Sequence, residues 1–320
     1  MKEKVVVITL NYNQNDYTIK CINSLIDSNY NYYNILLIDN GSTEENYLQL
    51  QRELNKDSRI ILKRIVQNCG YVGGINYGLE EGIKLDPDYF LIMNNDTIID
   101  KNAIGELVRT SKEYENKAIV SGKAYNFDEP NKLQLVGIKM VENKLLISKQ
   151  IGVDEIDNGQ YEEIVEYDLL DDIFWLIPAK LFLEIGGYSP YFWFNYEQED
   201  FAIRAKNAGY RLIYTPKAKI WHKGSSSIGG RDYNPNQAYW TIQSSLILRY
   251  LHLQKTHFIK FYCKTIISII NTFIKSFYLQ AFRKRDILNY AKAKYHGWMY
   301  FNKWVIRKNV NTGYNPLIKP

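Results

Sequence analysis

The 320-residue chain has little with which to staple itself together. Its three cysteines, Cys21, Cys69 and Cys263, form no close pairs. An odd, scattered set argues against a disulfide framework and against a zinc site, and fits free thiols in a reducing compartment. Long hydrophobic runs are missing too. No stretch reaches ~18 uninterrupted apolar residues, so no membrane-spanning helix is expected. The apolar run Val5-Val6-Val7-Ile8 near the start is too short for a signal peptide and leads to no cleavage-site pattern. A cytoplasmic protein is the expectation. Acidic residues are scarce at the other end, where Asp286 is the sole carboxylate side chain from 256 to 320. The net charge of +5 is nevertheless modest and calls for no nucleic-acid partner.

What is present is ordinary for a globular fold, with 46% apolar and 23% charged residues. The first hundred residues alternate short β-branched runs (5–10, 34–38, 60–66, 89–93) with segments of helical spacing (16–27, 44–54, 73–84). Such alternation predicts an α/β fold with a mostly parallel sheet covered on both faces. Ligands of these sheets bind beyond the carboxyl ends of the strands. Polar clusters follow the predicted strands directly: Asn11-Tyr12-Asn13, Asp39-Asn40-Gly41-Ser42, the stretch from Asn68 to Gly74, and Asn94-Asn95-Asp96. Further along, 101–110 reads as helix and 118–121 as strand. Residues 123–166 carry turn signals and no helical period, which predicts a β-rich insertion. Short helices follow at 178–185 and 200–207, with strand-like pieces at 211–214 and 218–221. Helices are predicted at 239–250 and 258–282. The expected division is 1–122 and 123–238 as two halves of one α/β domain, then a helical, basic region at 239–320.

Several of these residues suit sugar-nucleotide chemistry. A leaving diphosphate is neutralised well by a divalent cation held through carboxylate oxygen. Asp96, delivered by the strand at 89–93, is one candidate ligand, although Asn94-Asn95-Asp96-Thr97 also reads as a polar turn or helix cap. His222 is the second, against the more common role of a lone histidine as a structural group. Glu197, Glu199 and Asp200 follow an aromatic run, where a carboxylate can act as a general base; acids at a helix N-terminus are the plainer explanation, especially for Asp200. The glycine-rich stretch Asn68-Cys69-Gly70-Tyr71-Val72-Gly73-Gly74 matches neither the phosphate-loop nor the dinucleotide spacing. Alone it reads as a tight turn.

In this order, on strand ends, the motifs resemble glycosyltransferase family 2, and within it bacterial rhamnosyltransferase-like members. The resemblance runs over about residues 4–250. It is carried by Thr9-Leu10-Asn11-Tyr12-Asn13, Ile38-Asp39-Asn40-Gly41-Ser42, Asn68-Cys69-Gly70-Tyr71 on to Asn76-Tyr77-Gly78, Met93-Asn94-Asn95-Asp96-Thr97, Gly186-Gly187-Tyr188, the stretch from Glu197 to Arg204, and Trp221-His222. It implies a GT-A fold and inverting transfer from a dTDP- or UDP-sugar, with rhamnose the leading sugar, to a saccharide or lipid-linked acceptor of a cell-surface polysaccharide. Thr9, Asn11, Tyr12, Asp39 and Asn40 would hold base and ribose. Asn68, Gly70 and Gly74 would lie along the nucleotide, and Asn94 and Asn95 beside it. Asp96 and His222 would ligate Mn²⁺ or Mg²⁺.

Two positions depart from the family pattern. Asn94 replaces the first Asp of its Asp-x-Asp motif. Gln198 stands where the base usually sits, which leaves Glu197 or Glu199 as the base, with Glu197 preferred, or a shifted register. Beyond the motifs, the lysine-interrupted apolar helix at 258–282 and Arg283-Lys284-Arg285 fit contact with anionic lipid at the inner face of a membrane; a core-packing helix or a homodimer contact is the other reading. A nucleotidyltransferase would need cations in the first loop, which Asn11-Tyr12-Asn13-Gln14-Asn15 lacks. A catalytically inactive sugar-nucleotide-binding protein has Gln198 as its only support.

Overall fold

The computed structural model describes residues 3–54, 57–142, 144, 146–224, 234–280 and 286–316. The predicted Arg283-Lys284-Arg285 cluster lies outside them. The chain separates into two compact units: residues 1–140, 148–188 and 201–224, and residues 141–147, 189–200 and 225–320.

The first unit is built on one ten-stranded mixed sheet. Four strands, β1 (Val5–Asn11), β2 (Tyr33–Asn40), β3 (Ile60–Ile65) and β4 (Tyr89–Met93), pair in parallel in the order β3-β2-β1-β4. A short β5 (Thr97–Ile99) follows, then β6 (Ala118–Asn126), β7 (Leu133–Leu135), β8 (Gly137–Glu142), β9 (Ile147–Ile151), β10 (Val165–Glu166), β11 (Phe174–Pro178) and β12 (Arg211–His222). Strand β11 inserts antiparallel between β4 and β6. Because β6 and β12 pair in parallel beyond it, both run in the direction of β4. The predicted β-rich stretch appears as β6 to β10, with β8 and β9 forming a separate two-stranded sheet.

Alternate side chains of the strands serve opposite faces. Val5, Val7, Ile35, Leu37, Leu91 and Met93 face a core completed by helices α1 (Asn15–Ile26), α2 (Glu44–Leu54) and α4 (Ala103–Glu113). The opposite face receives α3 (Gly70–Gly82), whose Gly78 and Gly82 sit so close to Ile8, Val6 and Phe90 that a Cβ would collide. Helix α5 (Ala179–Ile185) covers Phe90 through Phe182, with ring centroids 5.8 Å apart. Phe201 of α6 (Glu197–Asn207) covers Trp175 at 5.7 Å.

The second unit is helical. Helix α7 (Pro235–His252) starts with an Asn234 side-chain cap and a proline in its first turn, a strong start signal. It packs on α9 (Asp286–Arg307), as does α8 (Lys255–Gln280). The α8–α9 seam is aromatic: Phe258 and Tyr262 meet Phe301 and Trp298 at 5.8–6.3 Å. Among the described residues no helix is long and apolar enough to cross a membrane.

Candidate active site

The carboxyl ends of β1, β2, β3, β4 and β12 all lie on one edge of the sheet, and the polar clusters stand there. They are joined by hydrogen bonds. Asn11, the last residue of β1, donates from Nδ2 to Asp39 Oδ2 at 3.0 Å, and its Oδ1 accepts from Thr18 Oγ1 at 2.8 Å. Thr18 Oγ1 in turn accepts from Asn95 Nδ2 at 2.7 Å. Asp39 Oδ1 accepts from the Ser42 backbone N–H at 3.2 Å and has Arg64 Nε at 3.9 Å. On the far side, Asn40 donates to the Gly70 carbonyl at 2.9 Å and accepts from Cys69 N–H at 3.2 Å, while Asn68 Oδ1 accepts from Gly70 N–H at 2.8 Å. Gly41 permits this crowding: its φ is +85°, and a Cβ would lie 2.4 Å from the Asn68 nitrogen.

The predicted nucleotide residues therefore stand in different settings. Thr9, Asn11 and Asp39 are fully buried, and Thr9 Oγ1 has no partner among the described residues. They brace the edge from within. Tyr12 is half exposed, and Asn68, Asn94 and Asn95 are partly exposed, so these can face a ligand. Sequence reading named Ser42 only as part of its cluster and missed Asn15, Thr18 and Arg64 as members of this network, since their partners are distant along the chain.

Asp96 and His222 meet because β5 turns back against the end of β12, pairing Thr97 with His222. His222 Nε2 lies 3.0 Å from Asp96 Oδ1 and 3.3 Å from Asn94 Nδ2. Its Nδ1 lies 2.9 Å from Gln134 Oε1. In the tautomer with the proton on Nδ1, that proton is donated to the Gln134 amide oxygen and the Nε2 lone pair faces the Asn94 amide. In that tautomer the lone pair and the Asp96 carboxylate oxygen 3.0 Å away would both be available to one cation, whereas a proton on Nε2 makes the same contact a hydrogen bond. Two donors bound side by side to one Mg²⁺ or Mn²⁺ at about 2.1 Å are about 3 Å apart, so the pair fits a divalent ion. Gln134 would then be the outer hydrogen-bond acceptor that orients His222. Among the described residues no group of three His, Cys, Asp or Glu could hold a metal. Further ligands would come from diphosphate oxygens and water, as is usual for Mg²⁺. Nearby Cys21 is no ligand: burial pushes its thiol up to about 12, and it stays a weak donor toward Asn94 O at 3.7 Å.

The acidic turn at the start of α6 belongs to the second unit. Two residues in left-handed conformation, Asn195 (φ 67°) and Tyr196 (φ 68°), precede it. Such strain, about 1–3 kcal/mol per residue, persists only where surrounding structure enforces it. Asp200 is buried, with His252 Nε2 2.7 Å from its Oδ1. Glu199 lies in the field of the Arg249 guanidinium, whose own pKa is lowered by burial. Glu197 is 5% exposed.

One further carboxylate was not foreseen. Asp172, at the foot of β11, accepts from Tyr188 Oη at 2.7 Å and Tyr71 Oη at 2.9 Å. Burial, with Asp171 adding repulsion, raises its pKa from 3.8 to about 7. A folded-state pKa above the unfolded one means the folded protein holds the extra proton. Stability is then greatest below the unfolded value and declines as pH rises toward 7. Asp172→Asn removes this decline. Its Tm relative to the parent should therefore become more favourable between pH 5 and pH 8 in thermal melts; a difference independent of pH would refute the assignment.

The sheet order and its polar carboxyl edge define a GT-A architecture. Residues 5–161 match the family model of Glycosyl transferase family 2. The chain is 31% identical over 153 residues to the putative glycosyltransferase TagX of Staphylococcus aureus, covering 46% of this chain and 41% of TagX. It is 24% identical over 204 residues to the galactofuranosyltransferase GlfT2 of Mycobacterium tuberculosis, covering 58% of this chain and 31% of GlfT2. It thus spans less than half the length of these relatives. Among solved structures, the mannosyltransferase PcManGT from Pyrobaculum calidifontis with GDP-Man and Mn²⁺ superposes with a TM-score of 0.56 at 12% identity, over 94% of this chain and 88% of that one. GalNAc-T7 with UDP, GalNAc and Mn²⁺ gives 0.54 at 14% identity, over 75% and 48%. At these identities the likeness shows the fold.

Proposed function

We propose that the protein is a metal-dependent, inverting glycosyltransferase that moves a sugar from a nucleoside-diphosphate sugar to a saccharide or lipid-linked acceptor in cell-surface polysaccharide synthesis. The observation that carries this reading is the 3.0 Å pair of Asp96 and His222 at the carboxyl edge of the sheet, beside the linked polar residues that end β1, β2 and β4. Structural neighbours with Mn²⁺ and nucleotides support it. A bound divalent ion supplies the positive charge that stabilises the departing diphosphate. Tyr12, Asn68 and Asn95 bind the nucleotide, over a floor stiffened by Asn11, Asp39 and Asn40. Asn94 takes the place of an acid and hydrogen-bonds His222.

Inversion requires a base to take the acceptor proton while the hydroxyl oxygen attacks the anomeric carbon and the bond from that carbon to the phosphate oxygen breaks. Asp200 is engaged by His252, and Glu199 stands near the Arg249 guanidinium. Glu197 takes the role in this reading, one residue before the family position occupied by Gln198. The protein acts at the cytoplasmic side of a membrane in this reading.

Donor turnover distinguishes the reading from an inactive binder. With Mn²⁺ or Mg²⁺, release of nucleoside diphosphate should occur with one member of a panel including dTDP-rhamnose, UDP-galactofuranose, UDP-GalNAc and GDP-mannose. Chelation should abolish it. Binding of a donor without release of any nucleotide, with acceptors present, would favour the inactive binder.

A further inference from the structure

Helix α8 shows three distinct sectors. Phe258, Tyr262, Thr265, Ile269 and Ser276, spaced by three, four or seven residues, turn toward α9 and are wholly or partly buried. Ile259, Ile267, Ile270, Ile274 and Phe277 form a second stripe, and each is 50–66% exposed. Exposed Cys263 falls on the same stripe. Beside it runs a third sector with Lys260, Lys264, Asn271 and Lys275, all exposed.

The stripe and the lysine sector adjoin at a shallow recess of about 360 Å³, lined by Lys264, Ile267, Ser268, Asn271, Thr272 and Lys275. At its margin the buried Lys294 donates to Ser268 Oγ at 2.8 Å and Thr272 Oγ1 at 2.9 Å. No Asp or Glu occurs between 233 and 285. The recess thus gathers ammonium and hydroxyl donors at the border of an apolar stripe.

We propose that α8 docks the protein on an anionic phospholipid surface. The stripe enters the boundary between headgroups and acyl chains, and the lysines and the recess receive phosphate headgroups. Three features choose this occupant. A contiguous row of large apolar side chains on a 26-residue helix left in water is unfavourable and marks an interaction surface. An apolar face flanked by lysines is the pattern of helices that lie in the membrane interface. A second copy of the chain is disfavoured by charge, because pairing two α8 stripes brings lysine sectors together with no carboxylate in either helix to offset them.

The full-length protein is sedimented with vesicles of phosphatidylcholine alone and with phosphatidylglycerol added, without sugar nucleotide, so the result is independent of the transferase reading. Binding is expected only with phosphatidylglycerol and should weaken as salt rises. The triple variant Ile267→Glu, Ile270→Glu, Ile274→Glu should lower the partition coefficient by about 100-fold or more. Lys264→Gln or Lys275→Gln should each lower it about fivefold. All replaced side chains are exposed, so circular dichroism should be unchanged. Should the triple variant misfold, a polarity-sensitive fluorophore on Cys263 of the parent decides instead: its emission must shift to the blue on adding anionic vesicles. The proposal is overturned if the parent ignores both vesicles, if the folded triple variant binds equally well, if the fluorophore does not respond, or if light scattering finds a dimer that the triple variant splits.

Discussion

Asp96→Ala is expected to lower transfer by about a thousandfold, or ~4 kcal/mol of transition-state stabilisation, with the fold intact. The side chain leaves the end of β4 on a turn fixed by backbone bonds, with Lys223 N–H donating to the Asp96 carbonyl at 2.9 Å and Thr97 Oγ1 to the Asn94 carbonyl at 2.6 Å. Alanine keeps all of these. What disappears is the carboxylate facing the lone pair of His222. Manganese binding, followed by electron paramagnetic resonance in the presence of nucleoside diphosphate, should weaken in parallel with turnover. Gln134→Leu should weaken the ion by about 10–100-fold, because His222 then loses the acceptor that holds its Nδ1–H and with it the orientation of Nε2. Full metal-dependent turnover in Asp96→Ala would remove the metal site from this corner of the sheet.

Glu197→Gln is expected to reduce kcat by about 10²–10⁴-fold while leaving donor affinity near that of the parent. The amide matches the carboxylate in shape and cannot accept the acceptor's proton. Glu199→Gln should cost far less in kcat, because Glu199 shares its surroundings with Arg249. Asp200→Asn should act on stability, since His252 loses an anionic partner. Quantifying transfer and donor binding separately for the three variants tells base from scaffold. A Glu197→Gln enzyme with parental kcat, beside an Asp172→Asn enzyme without activity, would move the base to Asp172.

Much of the sheet could be read from the chain because its strands are short β-branched runs ending in polar turns. Residues 44–54 and 89–93 were assigned with the bounds the structure shows. Strand β11 was not foreseen: its apolar run Phe174-Trp175-Leu176-Ile177 sits against Asp171-Asp172 on one side and a helix on the other, with no turn signal to frame it. Strand β12 was read as two pieces because Pro216 interrupts it; the structure keeps one strand and absorbs the break as a register shift between Thr215 and Lys219. Helix α9 falls in the stretch expected to be helical but was given no bounds, because its buried side is marked by tryptophan, tyrosine and phenylalanine rather than by an aliphatic period. At the candidate site, Asp96 and His222 were legible as strand-end residues. Gln134 was not, since only the pairing of β6 with β7 brings it to His222.

The insertion of β11 also dictates an order of assembly. During synthesis β4 leaves the ribosome well before the residues that pair with it, Phe174 to Pro178. Until they emerge, one side of β4 is an unpaired apolar strand edge, the kind that recruits other chains. Nascent chains arrested between these two strands should therefore depend on chaperones and aggregate, whereas chains extended past β12 should be released as soluble protein.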